Sequence, residues 1–369
     1  MKTKRRLLGR LLTAMALLTL SLPAALLPGT ANAASAPGGT AAAGDFVRVC
    51  GTRLCLHGHP FEVRGATAYS HYDDPRAEVT LARRAHLNVI ELVEFDTRYH
   101  DLSDTMSEAT WTRVDKVVAA ARAAGMHVIL HFAEYGQSLA ANGTTPTTVD
   151  WKSYLRFVAN RVNTVTGVTY KNDPTIAMVQ LYGEIDAPNF GVPTAGTTEQ
   201  MTAFFARTLA QWHELAPNIP ASSGGFSYLN YSNSGIDWQT IMADPNNAAC
   251  GVEVNSTADR DVSVPNVSSY CKSLGKPWFL AAWSSCYNHN PWGPEDLDHF
   301  PDDATMAAHA REMKLVALGR RADGPAPAMP AIGSDFWNLG AGPVVEGTCD
   351  IGPQFPQTFA AVREPHPAG

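Results

Sequence analysis

Glu184 ends the apolar run Thr175-Ile-Ala-Met-Val-Gln-Leu-Tyr-Gly-Glu184. A carboxyl at the end of a buried strand is poised for proton donation, because partial desolvation favours its neutral form. Glycosidic bonds are cleaved in this way when two carboxyls flank the scissile bond. Candidates for a second carboxyl are Glu91 and Glu94 in Asn88-Val-Ile-Glu-Leu-Val-Glu-Phe95, and Glu253 in Cys250-Gly-Val-Glu-Val-Asn255. Other strand ends carry polar and aromatic groups suited to holding a sugar: Tyr69, His71, His131, Glu134, Asn255, Trp283, Asp335 and Trp337. Aromatic faces stack on sugar C–H patches, while carboxyls and amides bond hydroxyls. His71 and His131 have no metal-ligand spacing and read as polar rim residues, so no metal is expected.

Positioning such groups requires a scaffold whose strand ends converge. Extended apolar segments alternate with amphipathic ones along the chain. The strands expected are Phe61 to Ala68, Asn88 to Phe95, Met126 to Phe132, Thr175 to Tyr182, Ile219 to Ser223, Cys250 to Asn255, Trp278 to Trp283 and Ala331 to Trp337. Helical spacing is read in Arg76 to His86, Glu108 to Ala124, Trp151 to Thr164, Thr198 to Leu215 and Ala304 to Gly319. Gly125 suits the C-terminal end of the second helix. This alternation predicts an α/β fold, a (β/α)₈ barrel preceded by a β-hairpin over Phe46 to Leu56. An open doubly wound sheet is disfavoured, since no G-x-G-x-x-G follows the first strand. The site is then expected at the C-terminal ends of the strands.

The N-terminus has the form of an export signal. Met1-Lys-Thr-Lys-Arg-Arg6 is basic, Leu11 to Leu27 is apolar, and Ala31-Asn-Ala33 offers a cleavage site. The expected organisation is a signal over residues 1–33, a small-residue linker over 34–44, and a single domain over 45–369. Six cysteines in an exported chain suggest disulfides. The simplest pairing is short-range: Cys50 with Cys55, Cys250 with Cys271, and Cys286 with Cys349. The net charge of −7 is scattered, which leaves no basic footprint for nucleic acid. No later run is long and apolar enough to predict a membrane span.

Two stretches carry a more specific likeness. Phe46-Val-Arg-Val-Cys-Gly-Thr-Arg-Leu-Cys-Leu-His-Gly-His-Pro-Phe61 and Arg161-Val-Asn-Thr-Val-Thr-Gly-Val-Thr-Tyr-Lys-Asn-Asp-Pro-Thr-Ile176 resemble the plant- and fungal-type endo-β-1,4-mannanases of glycoside hydrolase family 5. The resemblance implies a (β/α)₈ barrel acting on mannan or a related β-linked polysaccharide or oligosaccharide. It puts the acid/base on Glu184, with Gly183 where the family has Asn, and the nucleophile position on Ala282 before Trp283. The family's strand-two Arg falls on Glu91, its strand-six His and Tyr on Glu253 and Asn255, and its last aromatic on Trp337. Two readings follow: a mannanase-like hydrolase with a relocated second carboxylate, or a non-catalytic carbohydrate-binding protein using the same cleft. An unrelated lyase or metal-dependent activity is a weaker third. No cofactor, nucleic-acid partner or membrane partner is expected, and the chain is expected to be a monomer.

Overall fold

The computed structural model describes residues 42–68, 74–93, 106–133, 147, 151–185, 196–227, 229, 235–288 and 298–365. Eight parallel barrel positions are filled by β1 (Val63–Ala66), β2 (Val89–Val93), β3 (His127–His131), β4 (Ile176–Gln180), β5 (Ala221–Ser222 continued by Gly225–Phe226), β6 (Cys250–Val254), β7 (Trp278–Trp283) and β8 (Gly333–Phe336). Around them lie α1 (Pro75–Arg84), α2 (Glu108–Ala123), α3 (Trp151–Asn160), α4 (Thr198–Leu215), α5 (Trp238–Ala243), α6 (Val264–Ser273), α7 (Asp303–Ala317) and α8 (Pro356–Arg363). Closure runs through two narrow seams. The Ala68 N–H donates to the Glu91 carbonyl at 2.8 Å beyond the end of β1, and the two halves of β5 pair separately with β4 and β6.

The expected strands are all present, but β5 is split. Gly224 turns between its halves at φ +108°, and a Cβ there would lie 2.4 Å from the Tyr182 carbonyl oxygen. Only glycine permits that approach. The third helix ends at Asn160 rather than Thr164, because Arg161 turns inward to pair with Asp115 of α2. Helices α5, α6 and α8 were not expected; their apolar faces are short, so local periodicity is weak.

Strand alternation sorts the side chains into two cores. Val63, Val89, Ile129, Met178, Phe279 and Ala281 fill the barrel floor together with Leu54 of the N-terminal hairpin. That hairpin, Arg48–Cys50 with Arg53–Leu56, extends to His59–Phe61 as a three-stranded antiparallel sheet. Outward residues such as Ile90, Leu92, Leu130, Val252, Val254 and Leu280 meet the helices. On α2, Trp111, Val114, Val117, Val118 and Ala121 are all buried, so its apolar stripe is the packing face the spacing predicts. The three disulfides join Cys50 to Cys55, Cys250 to Cys271 and Cys286 to Cys349, the short-range pairing expected.

Candidate active site

The end of β4 is held from both sides before it reaches Glu184. Gly183 N–H donates to Ala133 O at 2.9 Å, and Glu184 N–H donates to Gly225 O at 3.0 Å. Glu184 itself sits in the left-handed region at φ 48°, a conformation that costs a non-glycine residue about 1–2 kcal/mol and that these bonds offset. The turn directs a side chain only 5 % exposed toward Ser227, just past β5.

Glu253 arrives from β6 and is 3 % exposed. A register shift between Val252 and Glu253 sets Glu253 directly opposite Ala282 of β7. The neighbour of the residue at the expected nucleophile position is therefore a carboxylate, about one strand spacing, or about 4.8 Å, away. Its side chain crosses Gly225, where a Cβ would lie 2.4 Å from the Glu253 Cγ. Glycine at that position is what leaves the carboxylate its path.

Ser227 joins the two acids. Its Oγ lies 2.9 Å from Glu184 Oε1 and 2.9 Å from Glu253 Oε2, so the bridged oxygens lie within twice that distance of one another. Asn255 Nδ2 donates to Ser227 Oγ at 3.2 Å and to Glu184 Oε1 at 3.3 Å. A hydroxyl has one proton to donate. For both serine contacts to be hydrogen bonds, one carboxyl must supply a proton of its own, and that proton belongs to the pair.

Beneath this pair lies a second polar layer. Glu91 accepts from Gln180 Nε2 and from Thr67 Oγ1 at 3.3 Å, and meets His131 Nδ1 at 3.2 Å. Asp335 of β8 stands against Glu91 in the space that a Gly65 side chain would need. Burial, then the charge of Glu91 and a hydrogen bond to it, push the Asp335 pKa well above the usual carboxylate range.

Several expected roles change. His131 is buried against Glu91 rather than lying on the rim, because strand alternation turns it inward beside Ile129. Glu91, a candidate second carboxyl, bonds Gln180, Thr67 and His131 in the layer beneath the Glu184–Glu253 pair. Trp283 is 3 % exposed and packs on His309 and Phe336 at 5.7 and 5.6 Å between centroids. It belongs to the helix-facing cluster with Leu280 and Phe336, so it is core rather than a sugar platform. Trp337, beyond β8, is partly exposed. Tyr69, His71, Glu94 and Glu134 lie outside the described residues. Among the described residues no group of three or more His, Cys, Asp or Glu could hold a metal ion. Sequence reasoning missed Ser227, since Gly224-Gly225 reads as the end of a strand and hides its continuation.

No protein-family model matches the chain. Mannan endo-1,4-beta-mannosidase 7 of Arabidopsis thaliana is 30 % identical over 183 residues, 40 % of this chain and 42 % of that protein. Mannan endo-1,4-beta-mannosidase 3 of Oryza sativa subsp. japonica is 27 % identical over 222 residues, 48 % of this chain and 47 % of that protein. The chain spans about half the length, or less, of the curated relatives it matches. In three dimensions it superposes on the endo-1,4-beta-mannanase of Rhizomucor miehei with a TM-score of 0.65 at 17 % identity, covering 86 % of this chain and 98 % of that one. A glycoside hydrolase family 5 mannosidase of the same fungus gives 0.59 at 15 % identity, covering 88 % and 97 %. The chain thus resembles mannan endo-1,4-beta-mannosidases in sequence and has the (β/α)₈ barrel of the glycoside hydrolase family 5 mannanases.

Proposed function

We propose that the chain is a secreted glycoside hydrolase acting on β-1,4-linked mannan or a related β-linked polysaccharide, with Glu184 as acid/base and Glu253 as the relocated second carboxylate. The observation that carries this reading is the Ser227 hydroxyl at 2.9 Å from both carboxyls. A bridged pair keeps one proton for the leaving oxygen and one negative charge for the anomeric carbon, the two requirements of the reaction. The bridged oxygens, each 2.9 Å from Ser227 Oγ, put the two carboxyls within reach of the about 5–5.5 Å separation of a retaining pair. Glu184 would then protonate the departing oxygen while Glu253 forms a glycosyl ester. Water deprotonated by Glu184 would release the sugar with its configuration retained.

Trp337, partly exposed beyond β8, is the aromatic platform in this reading. Residues 1–33 act as the export signal and 45–369 as a monomeric domain. The disulfides support an oxidising destination, and no described helix is long and apolar enough to cross a membrane.

A non-catalytic carbohydrate-binding cleft is the second reading. Ala282 favours it, since a methyl group cannot form the covalent intermediate at the position the resemblance gives the nucleophile. Calorimetric titration with manno-oligosaccharides beside a product assay separates the two. Cleavage abolished in both Glu184→Gln and Glu253→Gln supports the hydrolase; binding without products supports the cleft. Neither binding nor cleavage of any β-glycan would sink both.

A further inference from the structure

The bridge at Ser227 depends on a residue one position beyond its strand. β6 ends at Val254, and the side-chain amide of Asn255, which has two N–H groups to give, donates to Ser227 Oγ at 3.2 Å and to Glu184 Oε1 at 3.3 Å. The Asn255 backbone is anchored outside the ladder. Its carbonyl accepts from Asp298 N–H at 2.6 Å, and its N–H donates to Asp259 Oδ2 at 3.3 Å. Asp259 is 3 % exposed. Its Oδ2 also accepts from the Ser256 hydroxyl at 2.7 Å, and that hydroxyl oxygen in turn accepts from Asp259 N–H at 3.2 Å. Asp259 Oδ1 is buried with no hydrogen-bond partner among the described residues.

We propose that Asp259 is a positioning residue for the bridged pair: it grips the Asn255 N–H and so fixes where the Asn255 amide donates to Ser227 and Glu184. An acid three residues after a capping serine ordinarily serves only its own helix. Asp259 bonds Ser256 in that way, at the start of the helical turns that lead into α6, and its reach one residue further back ties that helix to the end of β6. This inference rests on the proposed role of Glu184, Ser227 and Glu253 as the site.

The strength of the grip follows the charge of Asp259. Burial raises its pKa to about 7 against the bonds from Ser256 and Asn255, and the charge of Asp298 adds to the rise. With a proton on Oδ1, Oδ2 is a neutral acceptor; once the proton leaves, Oδ2 is an ionised one, which draws N–H donors closer and binds them about twice as strongly. Asn255 is therefore held more tightly above about pH 7 than below it. Other charged groups surround this clamp. Asp298 lies in the field of Arg260, Asp261, His299 and Glu312 and 3.8 Å from His309 Nε2, while Arg321 pairs with Asp261 and Glu312. Across Asn255 lie Glu184 and, through Ser227, Glu253.

The test is ¹H–¹⁵N NMR of the full chain labelled at asparagine, followed through a pH titration, with the Asn255 backbone and side-chain signals assigned by their loss in Asn255→Ala. Both signals are expected to move together with a midpoint near 7. Both should stop moving in Asp259→Asn, which is near-isosteric and keeps an acceptor toward the Asn255 N–H. Ser256→Ala removes a donor that favours the charged carboxyl and should raise the midpoint by about one unit, a tenfold gain in proton affinity. Asp298→Asn removes a charge that opposes ionisation and should lower the midpoint while the signals still titrate. A backbone signal that titrates while the side-chain amide stays fixed makes Asp259 a helix cap and overturns the proposal. So does a titration that survives Asp259→Asn or vanishes in Asp298→Asn. The spectra need no turnover, so a protein that hydrolyses nothing would count against the proposed function alone. Where hydrolysis is measured, Asp259→Asn should lower kcat about tenfold with KM kept and remove an inflection near pH 7 from the kcat profile, which loss of a purely structural cap would not do.

Discussion

Ser227 and Ala282 are the residues at which the proposed chemistry is tested. Ser227→Ala deletes the bridge and leaves two buried carboxyls facing one another without their shared donor. A hydrogen bond to a charged group contributes about 1.5–3 kcal/mol, so thermal unfolding should fall by that order and hydrolysis should drop at least tenfold. An unchanged Tm with unchanged turnover would show that the bridge is incidental. Ala282→Glu restores a carboxyl at the position implied by the resemblance, yet its register partner is Glu253. Like charges directly opposite in a sheet repel. The variant should therefore be less stable than the parent and no more active; a gain in turnover would show that Glu253 is not the working second carboxylate. Glu184 was legible because it ends a long apolar run. Glu253 was legible only as one of three candidates, since its pairing depends on a register shift that no local pattern records.

At the scale of elements, the stretch Arg161 to Ile176 explains how β4 is delivered to the site. Arg161 forms a two-point pair with buried Asp115, Nε to Oδ1 at 2.9 Å and Nη2 to Oδ2 at 2.8 Å. Tyr170 and Thr164 hydroxyls donate to the same carboxylate at 2.7 and 2.8 Å. Burial acts to raise the Asp115 pKa, but the Arg161, Thr164 and Tyr170 bonds outweigh it and hold the value below the usual range. Asp173 then accepts from Thr175 N–H at 2.9 Å, starting β4. The most distinctive words in the sequence are thus a structural clamp. Asp115→Ala leaves the buried Arg161 guanidinium only the exposed carboxylate of Glu108 as a charge partner and should cost about 3–5 kcal/mol by denaturant titration; a loss under about 1 kcal/mol would mean the clamp is idle. Gly183→Asn introduces the residue that the resembled mannanases carry there, but its Cβ would sit 2.6 Å from the His131 ring. Overpacking of that kind costs about 1–3 kcal/mol. Pairing it with His131→Ala should recover much of the loss, and a stable single variant would show that His131 yields freely.

At the scale of the whole molecule, burial raises the pKa of several described carboxyls. Burial first, then Asp350, pushes Glu78 up to about 7. Burial raises Asp259 to about 7 against the bonds from Ser256 and Asn255, and raises Asp298 to about 6 against the charge of Arg260. Asp335 is raised further still. A carboxyl with a raised folded pKa binds more protons folded than unfolded between its two values, so stability falls as pH rises through that window. Burial lowers His309 to about 3 and also lowers His127; these work in the opposite sense below the unfolded histidine value, but are outnumbered. Tm should therefore decline from pH 5 to pH 8 in scanning calorimetry, and a rise over that interval would refute the balance drawn here.

By itself the sequence determined the βα alternation, the Cys50–Cys55 pairing and the strand that ends at Glu184, because each is set by periodicity or by residues close along the chain. Only the tertiary structure decided that Glu253 meets Glu184 through Ser227, that His131 turns inward to Glu91, and that Trp283 faces the helices. Those outcomes depend on which glycine lies across from which side chain, and on where a ladder slips by one residue. Such relations join segments tens of residues apart, and they exist only once the barrel has closed.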